Sequence, residues 1–188
     1  HDNRGGHEDG LKSVHYMRQL LNNEPVSTTC IGYRFHTLLR DLIAIQNSSA
    51  YESLKSKGLD LVQNDSLRLQ IISLYDFHYQ IVEKLEEEYH EMQFYENYYH
   101  SMIDILASDL EFDSLGRPAN IRQPLTISDE ERHKMLDYLH RIEYNRKYSL
   151  QFYGQIEDQI KELTAMIDAE KIYHGGKTNA EDLYIEPT

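Results

Sequence analysis

The sequence predicts an all-α fold: a long antiparallel helical hairpin, coiled-coil-like, with shorter N-terminal helices packed on it. Three observations predict this. No Gly or Pro interrupts Asp65 to Leu110. Alternate steps of four and three residues along that stretch select Leu67, Ile71, Leu74, His78, Ile81, Leu85, Glu88, Met92, Tyr95, Tyr99, Met102 and Leu106. All but His78 and Glu88 are apolar or aromatic. The same stepping from Met135 through Leu139, Ile142, Tyr153, Ile156, Ile160 and Leu163 to Ile167 is interrupted only by Arg146 and Ser149. Such spacing keeps one stripe of a helix facing a partner helix.

Residues 1–10 are polar and glycine-bearing and read as a frayed start. A single helical domain is expected over 11–173, opening with short helices at about 11–22, 27–46 and 49–57. Leu11, Val14, Met17, Leu20 and Leu21 share one face of the first helix, and Pro25 follows its end. Ile31, Phe35, Leu38, Leu39 and Leu42 line the second. Ser49 and Glu52 have the spacing of a capping box, and Gly58 stands where a left-handed residue would end the third helix. Asn64 with Asp65 caps a first long helix, expected over about 65–111. Gly116, Pro118 and Pro124 mark the connection. Ser128 and Glu131 open a second long helix, 128–173, in another capping box. Gly175 and Gly176 should break it, leaving 174–188 as a mobile acidic tail. Two helices joined this way lie level where their residue numbers add to roughly 238.

With 19 Lys and Arg against 32 Asp and Glu, the formal charge is −13, and no basic patch offsets it. That field repels duplex nucleic acid. One cysteine, Cys30, excludes an internal disulfide and a multi-thiolate metal site. No apolar run reaches the ~18 residues of a membrane span.

The string from Ser49 to Tyr75, SAYESLKSKGLDLVQNDSLRLQIISLY, resembles the signature of an uncharacterised Bacteroidota family of small helical proteins. The resemblance implies a single-pass anchor upstream of His1 and a location at the inner membrane, with this domain on the periplasmic side. It implies no activity and transfers no functional residue. Physically the stretch reads as caps and a turn, with Tyr51, Lys55 and Lys57 as the alternative, a face open to a partner or ligand.

Ten histidines raise the question of metal binding. Glu87 with His90, and Glu130 with His133, have di-iron spacing but fall on different levels of the hairpin. His100 and Asp104 with Asp137 and His140 are better levelled, though they flank the seam and suit ordinary ion pairing. Glu88 is level with about residue 150, near Arg146 and Ser149, and a buried Glu88–Arg146 pair there would fix register. Tyr89, Tyr95, Tyr98 and Tyr99 should face Tyr138, Tyr144, Tyr148 and Tyr153 as a packed layer or a recognition surface. No catalytic or cofactor motif stands out. The expectation is therefore a non-enzymatic, membrane-anchored scaffold or sensor-like interaction module, working with a protein partner or a second copy of itself and without a cofactor. The alternative is a soluble helical-bundle binding protein for a metal ion or small ligand.

Overall fold

The computed structural model describes the backbone of residues 2–43 and 45–181 and the side chains of 3–43 and 45–173. Helices dominate: α1 (Asp2–Leu21), α2 (Ile31–Leu39), α3 (Ser49–Lys57), α4 (Asp65–Ser73), α5 (Tyr79–Glu87), α6 (Phe94–Leu106) and α7 (Asp129–Glu181). The all-α class holds in this coarse form. Its exception lies in the connection, where β1 (Leu110–Phe112) and β2 (Pro118–Ile121) pair antiparallel with a register shift between Glu111 and Phe112. Among the described residues no helix is long and apolar enough to cross a membrane.

The expected single domain divides into two compact units. The first joins His1–Ile45 to Val82–Tyr153, and the second joins Gln46–Ile81 to Gly154–Thr188. In the second unit Tyr51 is buried, not turned toward a partner, and it stacks on Tyr75 at 4.5 Å. Leu67, Leu74, Ile156 and Leu163 complete its buried apolar set. Asn64 accepts the Leu67 N–H at 3.1 Å and so caps α4. The Ser49–Glu52 box does not form: Asn47 takes the Ser49 N–H at 3.2 Å, and Ser48 precedes the helix. Gly58 follows α3 with φ 105° and ψ 120°, positive as expected in φ but outside the left-handed helical region. Helix α7 runs through the expected break at Gly175 and Gly176, and residues 182–188 of the expected tail lie outside the described residues.

In the first unit α1 overturns the frayed start. It begins at Asp2, and His7 is only 2% exposed. Gly10 is a packing device. A Cβ on Gly10 would sit 2.3 Å from Nε of Arg146, so only a bare backbone lets that guanidinium lie against the helix. Arg146, on α7, is wholly buried. Its Nη2 donates to the carbonyls of Thr37 (3.2 Å), Leu38 (2.8 Å) and Arg40 (3.1 Å), the groups that the end of α2 leaves unpaired. Its guanidinium also lies 4.4 Å from the ring centre of Phe94. Burial pushes its pKa down to about 10, which still leaves it charged at neutral pH.

The expected Glu88–Arg146 pair is not made. Glu88 is exposed, and the buried carboxylate is Glu86, 3% exposed. Arg146 Nη1 donates to His7 Nδ1 at 3.4 Å, and His7 Nε2 donates to Glu86 Oε1 at 3.0 Å. Tyr153 donates to the same oxygen at 2.7 Å and Asn3 to the other at 2.9 Å. A neutral imidazole thus carries hydrogen bonding from a buried cation to a buried anion.

The expected long helix over 65–111 is not continuous. A five-residue π-helical stretch, Leu74–His78, joins α4 to α5. An extended residue, Tyr89, and a 3-10 turn, His90–Met92, separate α5 from α6. Side chains take up the freed backbone groups. Gln93 Nε2 reaches the Glu86 and Glu87 carbonyls, Asn97 reaches that of His90, and Asn145 reaches that of Glu91. The expected helix over 27–46 is likewise shorter. A 3-10 turn, Thr28–Cys30, leads into α2, which ends at Leu39 where Arg146 collects its carbonyls. At the head of α7, Ser128 Oγ accepts the Glu131 N–H (3.2 Å) while Glu131 accepts that of Ser128 (2.8 Å).

Gly10→Ala should cost about 1–3 kcal/mol by displacing Arg146. Gly5→Ala, with nothing near its Cβ, should stabilise by about 0.5–1 kcal/mol. Urea midpoints read both, and equal effects would refute the packing argument. Burial, aided by Arg146, holds His7 below its ordinary 6.5 against the opposing pull of Glu86. The unfolded chain therefore takes up this proton first, so the contribution is whole above 6.5 and shrinks as the pH falls through the folded value. His7→Asn should flatten the fall in urea midpoint between about pH 7.5 and 5.5. An unchanged slope would assign the acid sensitivity elsewhere.

Candidate functional site: a tyrosine-lined cleft

The first unit contains an open cleft of about 720 Å³, within the roughly 300–1,000 Å³ range of small-ligand sites. One wall is α2 with the residues just beyond it: Gly32, Tyr33, His36, Arg40 and Asp41. Tyr95 and Tyr99 of α6 form a second wall, and Asp113, Arg117, Pro118 and Ala119 of the β-hairpin form the third. The β-hairpin reaches α2 because Gly32 has no side chain: a Cβ there would lie 2.3 Å from the Pro118 carbonyl oxygen.

Each wall is positioned by identifiable bonds. Asp41 Oδ1 accepts the N–H groups of Phe94 (2.6 Å) and Tyr95 (3.3 Å), which caps α6 and ties the segment after α2 to it. Burial pushes the Asp41 carboxyl up, against the pull of those two N–H groups. In the β-hairpin turn, Asp113 accepts from the backbone of Leu115 and Arg117 (both 2.9 Å) and from Arg117 Nε (2.8 Å). Those bonds hold the Asp113 carboxyl below the usual carboxylate range. Behind the turn, the buried Asp109 accepts from the backbone and hydroxyl of Thr126.

Both carboxylates in the lining are thus committed to structure. What faces the cleft is different. Tyr95 stacks on Tyr99 at 4.5 Å and remains 51% exposed. Tyr33, 56% exposed, stands on the α2 wall with His36. The exposed Arg40 side chain has no ion pair among the described residues, while its own carbonyl is held by Arg146. These are groups that bind: aromatic faces, hydroxyls, an imidazole and a planar cation.

Of the residues singled out in the sequence, Tyr95 and Tyr99 line the cleft and the metal candidates do not. His100, Asp104, Asp137 and His140 are all exposed, Asp137 pairs with Arg141 at 2.9 Å, and no group suited to a metal ion occurs among the described residues. Glu87, His90 and His133 are exposed too. The expected tyrosine layer separates into parts: Tyr98 meets Tyr138 at 5.1 Å across two helices, Tyr144 stacks on Tyr148 along α7, and Tyr153 serves Glu86. Tyr33, His36, Arg40 and Arg117 carried no expectation. Their signal was present but faint: Tyr33, His36 and Arg40, three and then four residues apart, share the polar face opposite an apolar stripe. No family model, curated protein or solved structure matches the chain.

Asp41→Ala should cost about 1–2 kcal/mol through loss of the α6 cap and should broaden the amide signals of Tyr95 and Tyr99. Unchanged stability and sharp signals would show that the cleft wall does not need this carboxylate.

Proposed function

We propose that the chain is a non-enzymatic, sensor-like helical interaction module. It is anchored to the inner membrane, stands on the periplasmic side, and takes a small ligand into the cleft of its first unit. The carrying observation is that cleft. Its carboxylates are spent on backbone N–H groups, and its free groups are tyrosine rings, His36 and Arg40, a set that holds a molecule rather than cleaving one. The membrane location rests on the resemblance of Ser49–Tyr75 to the Bacteroidota family.

The antiparallel helical hairpin with a coiled-coil-like seam belongs to this reading. In the first unit Tyr98 with Tyr138 and Glu86 with Tyr153 support it, and in the second unit His78 with Gln159 does. A protein partner, a second copy of the chain included, would receive the signal. The exposed Tyr144 and Tyr148 stack on α7 is the surface we assign to it. The soluble alternative rests on the same cleft and differs in lacking an anchor; its cargo would be a small ligand, since the four metal candidates are not gathered.

Fractionation of cells making the full-length protein tests the reading. The domain should sediment with the inner membrane and be digested by protease added to spheroplasts. Recovery in the soluble fraction would replace this proposal with the soluble binding protein.

A further inference from the structure

We infer that the cleft takes a carboxylate-bearing ring, its ring against the tyrosine faces and its carboxylate on Arg40. This rests on the reading of the cleft as a ligand site and names the chemistry it selects. The first argument is charge. In a chain of net charge −13, an exposed guanidinium with no ion pair among the described residues stands in a concave, aromatic-lined site. Arg117, the other guanidinium, is already held by Asp113 at 2.8 Å. Arg40 therefore offers one unmatched fork, and a carboxylate fits such a fork with two parallel hydrogen bonds.

The second argument separates carboxylate from phosphate. The natural seat for a phosphate here would be the first N–H groups of α6, because a helix N-terminus attracts anions. Asp41 occupies them, bonding Phe94 and Tyr95. A dianion would then face a single free guanidinium in a strongly negative protein. A monoanion matches it.

The third argument is the ring. Tyr95 and Tyr33 present half-open faces from two different walls, while Pro118 and Ala119 add small apolar surface. Flat or ring-shaped molecules cover such faces with little loss of their own freedom. His36, four residues before Arg40, adds a second polar group to the lining. Two sources carry this chemistry: an acidic sugar, and an aromatic acid.

Chemical shifts and calorimetry on the whole chain test the inference, with galacturonate, 4-hydroxybenzoate, their neutral counterparts galactose and phenol, and inorganic phosphate as probes. At least one acid should perturb Tyr33, Arg40 and Tyr95 and bind at least about tenfold more tightly than its neutral counterpart. Whichever acid does so identifies the source. Arg40→Gln should erase that preference, and Arg40→Lys, which keeps charge but loses the fork, should keep only part of it. Equal binding of acid and neutral ring, a preference that survives in Arg40→Gln, or tighter binding of phosphate would overturn the ligand class and leave the cleft as a site. If no probe moves any cleft residue, the ligand-site reading itself falls, and the class falls with it.

Discussion

The first unit depends on a buried guanidinium. Taking Arg146 out of water costs several kcal/mol unless partners replace the solvent, and the fold supplies them from three helices. The end of α2 gives three carbonyls, α6 gives the face of Phe94, α1 gives His7, and Gly10 gives the space. Nε alone is buried without a partner, on the side where α1 presses closest. The charge is balanced at a distance, by Glu86 through His7 and by Asp41. An apolar residue at 146 would cost less desolvation. It would also leave the α2 carbonyls and His7 without their shared partner.

That constraint reaches the cleft through a single peptide segment. The Arg40 carbonyl is bound from inside by Arg146, while its side chain lines the cleft outside. The next residue, Asp41, closes the segment onto α6. Leu42 then turns back into the core. The chain leaves α2 with its path fixed at every residue, which is how an irregular stretch can present a recognition group in one place. A ligand on Arg40 would pull on the residue that Arg146 restrains. The cleft and the core network are therefore mechanically adjacent within this unit.

Much of the helical content was legible because periodicity reports burial directly. Leu67, Leu74, Met92, Met102, Leu106, Met135, Leu139, Ile142, Ile156 and Leu163 were placed inward by their spacing and are buried. The Ser128–Glu131 cap was legible for a similar reason, since its partners lie three residues apart and need nothing else. The failures share the opposite property. Gly5, Gly6 and Gly10 signalled fraying by propensity, but Gly10 is dictated by a side chain 136 positions away. The breaks after Glu87 and after Leu39 contain no Gly or Pro and exist because Asp41, Gln93, Asn145 and Arg146 receive the freed groups. The cleft as a whole was not legible, although Tyr95 and Tyr99 were noted, because it is assembled from α2, α6 and a β-hairpin that read only as a connection.

The exchange of Glu88 for Glu86 shows how one such break propagates. A heptad count assumes an unbroken phase, and phase is carried by hydrogen-bonded turns. The π-helical stretch at Leu74–His78 adds a residue to a turn, and the 3-10 stretch at His90–Met92 tightens one. Between them the inward stripe rotates, so that Val82 and Glu86, four residues apart, face the core while Glu88 faces water. Several glutamates in Glu83–Glu91 had suitable chemistry. The choice fell to the position where Asn3, His7 and Tyr153 each direct a donor at one carboxylate. Which acid is buried was settled by donors on two other helices, and no count along its own helix could have revealed it.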